Sequence, residues 1–234
     1  NNTAYGFNAM DAITTGDQNT AIGKSAGTAI TSGFDNVVMG SLAGDALTSG
    51  YRNVAIGTSA LSTEDGNGLN VAVGYYALRN QNAGVDAYNV AVGASAGEAI
   101  TTGVQNTVVG GEALSTNVDG DHNTAIGYKA LKSFEANADG HGKNVALGAN
   151  ALENSTTGTE NTALGTEAMG SGVTTGDNNV AIGYKAGEDI TSGEKNNFIG
   201  NFSGQDLTTG SFNSSLGHGT LANLTTSSNN TAVG

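Results

Sequence analysis

The sequence lacks cysteine, proline and tryptophan, and only 12% of its 234 residues are charged. Without cysteine the chain can form neither disulfides nor a reactive thiolate. No apolar run approaches the roughly 20 residues that cross a bilayer, and no signal-peptide pattern opens the chain. The apolar fraction of 37% is low and rich in alanine, so a thick core of large side chains is not expected.

Basic residues are also scarce. Eight Lys and Arg against 21 Asp and Glu give a formal net charge of −13. Nucleic acids and anionic membrane surfaces need clustered positive charge, so both are disfavoured as partners. We interpret the acidity as a feature that keeps an extended surface soluble. Because the chain begins with Asn1, we expect it to be a piece of a longer precursor.

What the chain has in abundance is one repeated pattern, an asparagine followed four residues later by glycine. Of the thirteen intervals between the fourteen copies, ten are 17 residues and the others are 19, 21 and 18. This regularity leaves no room for a domain boundary, so residues 1–234 are predicted to form a single repeat array. The asparagines, taken as position 1 of each repeat, are Asn2, Asn19, Asn36, Asn53, Asn70, Asn89, Asn106, Asn123, Asn144, Asn161, Asn179, Asn196, Asn213 and Asn230.

The residues between asparagine and glycine predict a short strand, as in "NVAIG" at 53–57. Position 2 is Val or Thr in twelve of fourteen copies, position 3 is Ala in ten, and position 4 is always apolar. Strand side chains alternate between faces, so both faces of this strand carry small or apolar residues. A strand of this kind is expected to be buried on both sides. Helix is disfavoured because each glycine costs about 1 kcal/mol there.

In the middle of each repeat, a large apolar residue stands at position 9 in some copies and at position 12 in others. Position 9 is glycine in five copies, and each of these has Ile or Leu at position 12, as in Gly27 with Ile30. In six other copies position 9 is Leu or Met, as in Leu61, and position 12 is usually polar, with Phe134 the one apolar case. We infer that both positions fill one core slot, once per coil.

The last part of each repeat carries turn residues, with "TTG" or "TSG" in eight copies. All three length changes fall in this segment, around residues 79–88, 132–143 and 170–178. Because insertions belong on an exposed face, this segment is predicted to lie outside and the strand inside.

Together these features predict an all-β parallel β-roll or β-solenoid of about 13 coils with a 17-residue repeat. At about 4.8 Å per coil the rod would be roughly 62 Å long. The asparagines are expected to stack as a structural ladder from Asn19 to Asn213, each amide bonding to the next. Only one face of the strand can point into its own coil, so the other apolar face needs a partner to bury it. We therefore expect a homo-oligomer.

The motif that carries a resemblance is "NVAIG" followed two residues later by Ala, as in "NVAIGTSAL", "NTAIGYKAL" and "NVAIGYKAG". It resembles the head repeats of trimeric autotransporter adhesins and is similar to the arrays of phage and bacterial tail-fibre proteins. The first resemblance implies a left-handed β-roll of three chains that binds host surface or matrix molecules. The second implies a trimeric shaft, often upstream of a self-cleaving chaperone domain. The adhesin repeat is usually shorter than the 17 residues found in this chain.

Sites for chemistry are few. His122, His141 and His218 lie in variable turns, and nothing resembles a metal pair or a catalytic triad. The paired carboxylates Glu64–Asp65 and Asp119–Asp121 lack a strict calcium-loop spacing and are taken as ordinary acidic turns. Threonines in "ITTG" alternate between faces, which disfavours an ice-binding ladder. Glycosylation sequons begin at Asn1, Asn154, Asn201, Asn213, Asn223 and Asn229.

The sequence therefore predicts a non-enzymatic fibre segment without a cofactor, extracellular or virion-borne, that attaches through its outer turns. Its partners would be copies of itself, in a trimer or a filament, and a host surface glycan or matrix protein. No nucleic acid partner and no membrane insertion are expected. Tyr75, Tyr76, Tyr88 and Phe134 are the candidate receptor contacts, because they are aromatic residues near the insertions. Two alternatives are a purely structural self-assembling filament subunit and, less favoured, a glycan-processing fibre enzyme.

Overall fold

The computed structural model describes residues 1–135 and 141–234. Within these ranges the chain forms fourteen three-residue strands and contains no helix. The strands make one parallel sheet in which each strand pairs with the next in sequence. This confirms the predicted β-solenoid of about 13 coils with a repeat near 17 residues. The strands are β1 Thr3–Tyr5, β2 Thr20–Ile22, β3 Val37–Met39, β4 Val54–Ile56, β5 Val71–Val73, β6 Val90–Val92, β7 Thr107–Val109, β8 Thr124–Ile126, β9 Val145–Leu147, β10 Thr162–Leu164, β11 Val180–Ile182, β12 Asn197–Ile199, β13 Ser214–Leu216 and β14 Thr231–Val233.

The register of the sheet is exact from coil to coil. Ala55 of β4 pairs with Ala72 of β5, and the equivalent positions pair at each of the remaining steps. The 79–88 insertion does not shift this register, since Val71 still pairs with Val90. The other insertions leave it unchanged as well, although residues 136–140 of the 132–143 segment lie outside the described residues. The extra residues are therefore accommodated away from the sheet.

The two faces of the sheet differ in burial. In β2 to β12 the position 3 side chains, such as Ala21 and Ala55, point into the coil and are fully buried. The neighbouring residues at positions 2 and 4 point outward and are half-buried or exposed. The expectation that both faces are buried is therefore met only on the inward face of a single chain. The outward apolar face is open.

Positions 9 and 12 both face the interior, and in the glycine-type coils they share one slot. A methyl group placed on Gly27 would lie 2.6 Å from Cδ1 of Ile30, and one on Gly44 would lie 2.8 Å from Cδ1 of Leu47. Side chains at position 12 thus occupy the space that a side chain at position 9 would need. In coils of the other type both positions are buried, Leu61 with Glu64 and Leu131 with Phe134, so the prediction that only one of them is filled in each coil is wrong there.

The corners of each coil require left-handed backbone. In the coil that starts at Asn53, Ser59 has φ 52°, Leu61 φ 50° and Leu69 φ 66°. This conformation costs roughly 1–2 kcal/mol for a residue with a Cβ. Leu61 offsets part of that cost because the same turn places its side chain in the core.

The asparagine column joins every coil to the next. Each asparagine from Asn19 to Asn230 donates its backbone N–H to Oδ1 of the asparagine one coil earlier, over 2.8–3.1 Å. In most coils Nδ2 donates to a carbonyl fourteen or fifteen residues later, as from Asn36 to Gly50 at 2.7 Å. In eight of the thirteen steps Nδ2 also reaches the preceding Oδ1. The asparagines from Asn19 to Asn213 are at most 1% exposed.

Removing one amide from this column should destabilise the chain strongly. In an Asn106→Ala variant the backbone N–H and the Nδ2 of Asn123, which donate to Asn106 Oδ1 over 2.9 and 3.1 Å, both lose that acceptor, whereas the carbonyl of Gly120 keeps its hydrogen bond from Asn117. Each buried group left unpaired costs roughly 1–3 kcal/mol, so we expect a loss of about 3 kcal/mol in the free energy of unfolding. Urea unfolding followed by circular dichroism measures it.

The matched control is Asn82→Ala, since Asn82 is exposed in the first insertion and its side chain makes no hydrogen bond in the described structure. It should change the free energy of unfolding by less than about 0.5 kcal/mol. Equal losses in the two variants would contradict the structural role of the column.

Candidate functional site

The candidate receptor contacts near the first insertion form an exposed aromatic cluster. Tyr75 is 51% exposed and stacks on Tyr76 with ring centroids 3.7 Å apart. The guanidinium of Arg79 lies 4.3 Å from the centre of the Tyr76 ring, and Glu98 pairs with it at 3.5 Å. Tyr76 therefore packs against the Arg79 cation, whereas the Tyr75 ring remains accessible to solvent.

Tyr88 lies on a different corner of the same region and is 54% exposed. Close to it, Tyr51 donates its hydroxyl to Asp86 over 2.6 Å, and Asp86 also accepts the N–H of Gly68 at 3.2 Å. The hydrogen bond to Asp86 raises the pKa of Tyr51. The insertion is thereby fastened to two earlier coils, which holds Tyr88 in place.

Phe134 was wrongly predicted as a surface contact, because its side chain is fully buried. It fills the core slot at position 12, and a methyl group on Gly120 of the preceding coil would lie 2.7 Å from its Cε1. The repeat itself contained the signal for this placement, since position 12 holds the core residue in the five glycine-type coils. Proximity to an insertion was the weaker guide.

A second aromatic cluster was missed by the sequence reasoning. Tyr184, Phe202 and His218 lie at position 6 or 7 of three consecutive coils, and their rings are in contact. The signal was present as an aromatic residue at one corner in each of three neighbouring repeats. We refer to these three side chains as the aromatic row.

Lys185 and Glu188 flank the aromatic row. Lys185 Nζ lies 3.2 Å from Glu167 Oε2 and 2.9 Å from Glu188 Oε1. Hydrogen bonds to these carboxylates raise the pKa of Lys185. Burial would raise the pKa of Glu188, but hydrogen bonds from Lys185, Gln205 and Ser171 outweigh it and lower the pKa. These groups stay ionised at neutral pH and tie neighbouring coils together.

The described residues hold no converging group of three or more His, Asp or Glu side chains that could bind a metal. His122, His141 and His218 are all exposed. Asp121 accepts the N–H of Val104 at 2.7 Å, which is a turn contact. Of the described segments, none forms a helix long and apolar enough to span a bilayer.

Other polar candidates serve the coil itself. The hydroxyls of Thr14, Thr31 and Thr48 each donate to a carbonyl of the next coil over 2.9–3.1 Å, so they are not free to order ice. Asn213 is buried in the asparagine column and is closed to glycosylation in the folded chain. Asn223 and Asn229 are exposed.

Glu64 was expected in an exposed acidic turn but is fully buried at position 12. Its Oε1 accepts the N–H of Asn67 over 3.0 Å, while Oε2 has no hydrogen-bond partner among the described residues. Burial raises the pKa of Glu64 in spite of the hydrogen bonds from Asn67. Asp65 next to it remains exposed.

The raised pKa of Glu64 makes its contribution to stability depend on pH. The folded chain holds this proton more tightly than the unfolded chain, so stability is greatest below the unfolded pKa and falls as pH rises through the folded pKa. Glu64→Gln keeps the acceptor for Asn67 and removes the charge. We expect a higher melting temperature than wild type at pH 7.5 and a difference that shrinks toward pH 4. Asp65→Asn should show no such pH-dependent gain, and a gain of equal size in that control would contradict the assignment.

In comparisons with known proteins, no protein-family model, curated protein or solved structure matches the chain.

Proposed function

We propose that this chain is a segment of an adhesive fibre, extracellular or virion-borne, in which copies pack side by side through the outward face of the sheet and present their outer corners to a target. The observation that carries the proposal is the open apolar face. Its position 4 side chains include Met39, Leu147, Leu164 and Leu216, which are 39–51% exposed.

The composition of this face contrasts with the rest of the surface. None of the residues at positions 2 and 4 of the fourteen strands is charged, although the chain has a net charge of −13. The position 4 side chains are apolar in every coil and form a row along the whole array, which a monomeric soluble protein rarely leaves open to water. The face therefore supports a role as an interface.

A second copy of the chain is the partner that fits best. The face repeats one pair of side chains per coil along the whole array, and an equally periodic surface can match it at every step. Closed symmetric assembly is the usual outcome for identical chains. The resemblance to adhesin heads and tail fibres favours three copies, with the corners that carry Tyr75 and Tyr184 facing outward.

The native mass tests this assembly. Wild type should scatter light as a multiple of 23.2 kDa, three times that value for the trimer. Leu147→Glu places a charge on the open face, where the side chain is already 42% exposed, so the coil should remain folded while the assembly dissociates to 23.2 kDa. Val85→Glu, on an exposed loop residue, is the matched control and should leave the mass unchanged.

The methionines give an independent measure of the same interface. Met39 lies on the open face at 39% exposure, whereas Met10 and Met169 are at most 3% exposed. In the assembly Met39 should resist peroxide, and in the Leu147→Glu variant mass spectrometry should find it oxidised. A wild-type monomer with an oxidisable Met39 would contradict the proposal, and very large species would favour a filament subunit instead.

A further inference from the structure

The aromatic row is a continuous surface along the axis of the solenoid. The centroids of Tyr184 and Phe202 are 5.3 Å apart with ring planes at 83°, and those of Phe202 and His218 are 5.6 Å apart at 70°. Edge-to-face contacts of this kind are favourable, so the rings support one another. Tyr184 and His218 are exposed, and Phe202 between them is half-buried.

The fold itself does not require an aromatic residue in the middle of this row. Phe202 is in the left-handed conformation with φ 58°, which is unfavourable for a bulky side chain. Ser25, Ser59 and Ser95 occupy the same corner of other coils at φ 52–55°. The corner therefore does not need a phenyl ring, since three other coils form it with serine.

The charges beside the row disfavour an anionic ligand. Lys185 lies 5.7 Å from the centre of the Tyr184 ring, but it is already paired with both Glu167 and Glu188. No positive charge of this network is left uncompensated, and the chain as a whole is strongly acidic. A neutral ligand meets no repulsion here.

We propose that the aromatic row binds a neutral, extended glycan, with the apolar faces of successive sugar rings packed against Tyr184, Phe202 and His218. The coils repeat about every 4.8 Å, so the rings offer an apolar contact at each step along a linear chain of pyranose rings. Gln205 is half-buried and donates its side-chain amide, Nε2, to the buried Glu188 over 2.8 Å, which leaves its Oε1 as the acceptor for a sugar hydroxyl. This inference rests on the attachment role proposed above and names its ligand class.

The test uses the full chain and a β-1,4-linked N-acetylglucosamine hexasaccharide as the probe in isothermal titration calorimetry. Wild type should bind it, and Tyr184→Ala and Phe202→Ser should each weaken the affinity about tenfold, equivalent to the loss of one aromatic contact. Serine is chosen at 202 because other coils fold with it there. His218→Ala gives a further readout that does not depend on the Phe202 variant.

Tyr128→Ala is the matched control. Tyr128 occupies the same corner within an identical "AIGYKA" stretch, but its neighbours at that position are Gly111 and Ala149, so it belongs to no row. The control should bind the hexasaccharide as wild type does. Thermal unfolding of each variant shows whether the coil is intact.

Three results would overturn the inference: no binding by wild type at millimolar hexasaccharide, unchanged binding in Phe202→Ser, or equal losses in the row variants and Tyr128→Ala. Preferential binding of a proline-rich peptide to the row would also overturn it. Light scattering on the same samples separates this inference from the proposed fibre, since an assembled protein that does not bind the glycan refutes only the ligand.

Discussion

The hydrogen bond from the backbone N–H of one asparagine to the side-chain oxygen of the previous one sets the stacking of the coils. It recurs at all thirteen steps, including the three where the repeat is lengthened. In most coils the same side chain closes its own coil through Nδ2, as Asn36 does to Gly50. One buried amide therefore fixes both the size of a coil and its register on its neighbour, and the register gives the sheet its two distinct faces.

The glycine that ends each strand is the complementary constraint. Gly57 has φ 131°, and a methyl group on it would lie 2.4 Å from the carbonyl oxygen of Gly74 in the next coil. No side chain fits at this contact, and the left-handed region is open to glycine at little cost. Asparagine and glycine thus hold the two ends of every strand. The residues between them are free to present alanine inward and an apolar surface outward.

Much of the fold could be predicted from the sequence because the repeat imposes one solution on every coil. The strands fall between Asn53 and Gly57 and between their equivalents, and the alternation of Gly27 with Leu61 correctly predicted that positions 9 and 12 both reach the core. The left-handed conformation of Leu61 could not be predicted, since leucine rarely adopts it and the need arises only from closing a coil of this size. The outward face was correctly recognised as apolar, but periodicity cannot tell whether a partner covers it.

Residues that depart from the regular repeat were harder to predict than those that follow it. Phe134 was assigned by its nearness to an insertion, although its position in the repeat pointed to the interior where it lies. The aromatic row went unnoticed because Tyr184 and Phe202 stand at positions 6 and 7, a difference of one residue that the corner accommodates. Glu64 shows the same limit, since a carboxylate within "STEDGNG" suggests a solvated turn and only its register places it in the core.

Native-state hydrogen exchange measures the coil-to-coil bond most directly. If the asparagine column sets the stacking, the backbone amides of residues such as Asn106 and Asn123, which donate to buried side-chain oxygens, should be among the slowest in the chain to exchange. Slow exchange should also hold for Asn89 and Asn144, which follow insertions. Exchange of these amides as fast as that of the exposed loop residue Val85 would contradict the account.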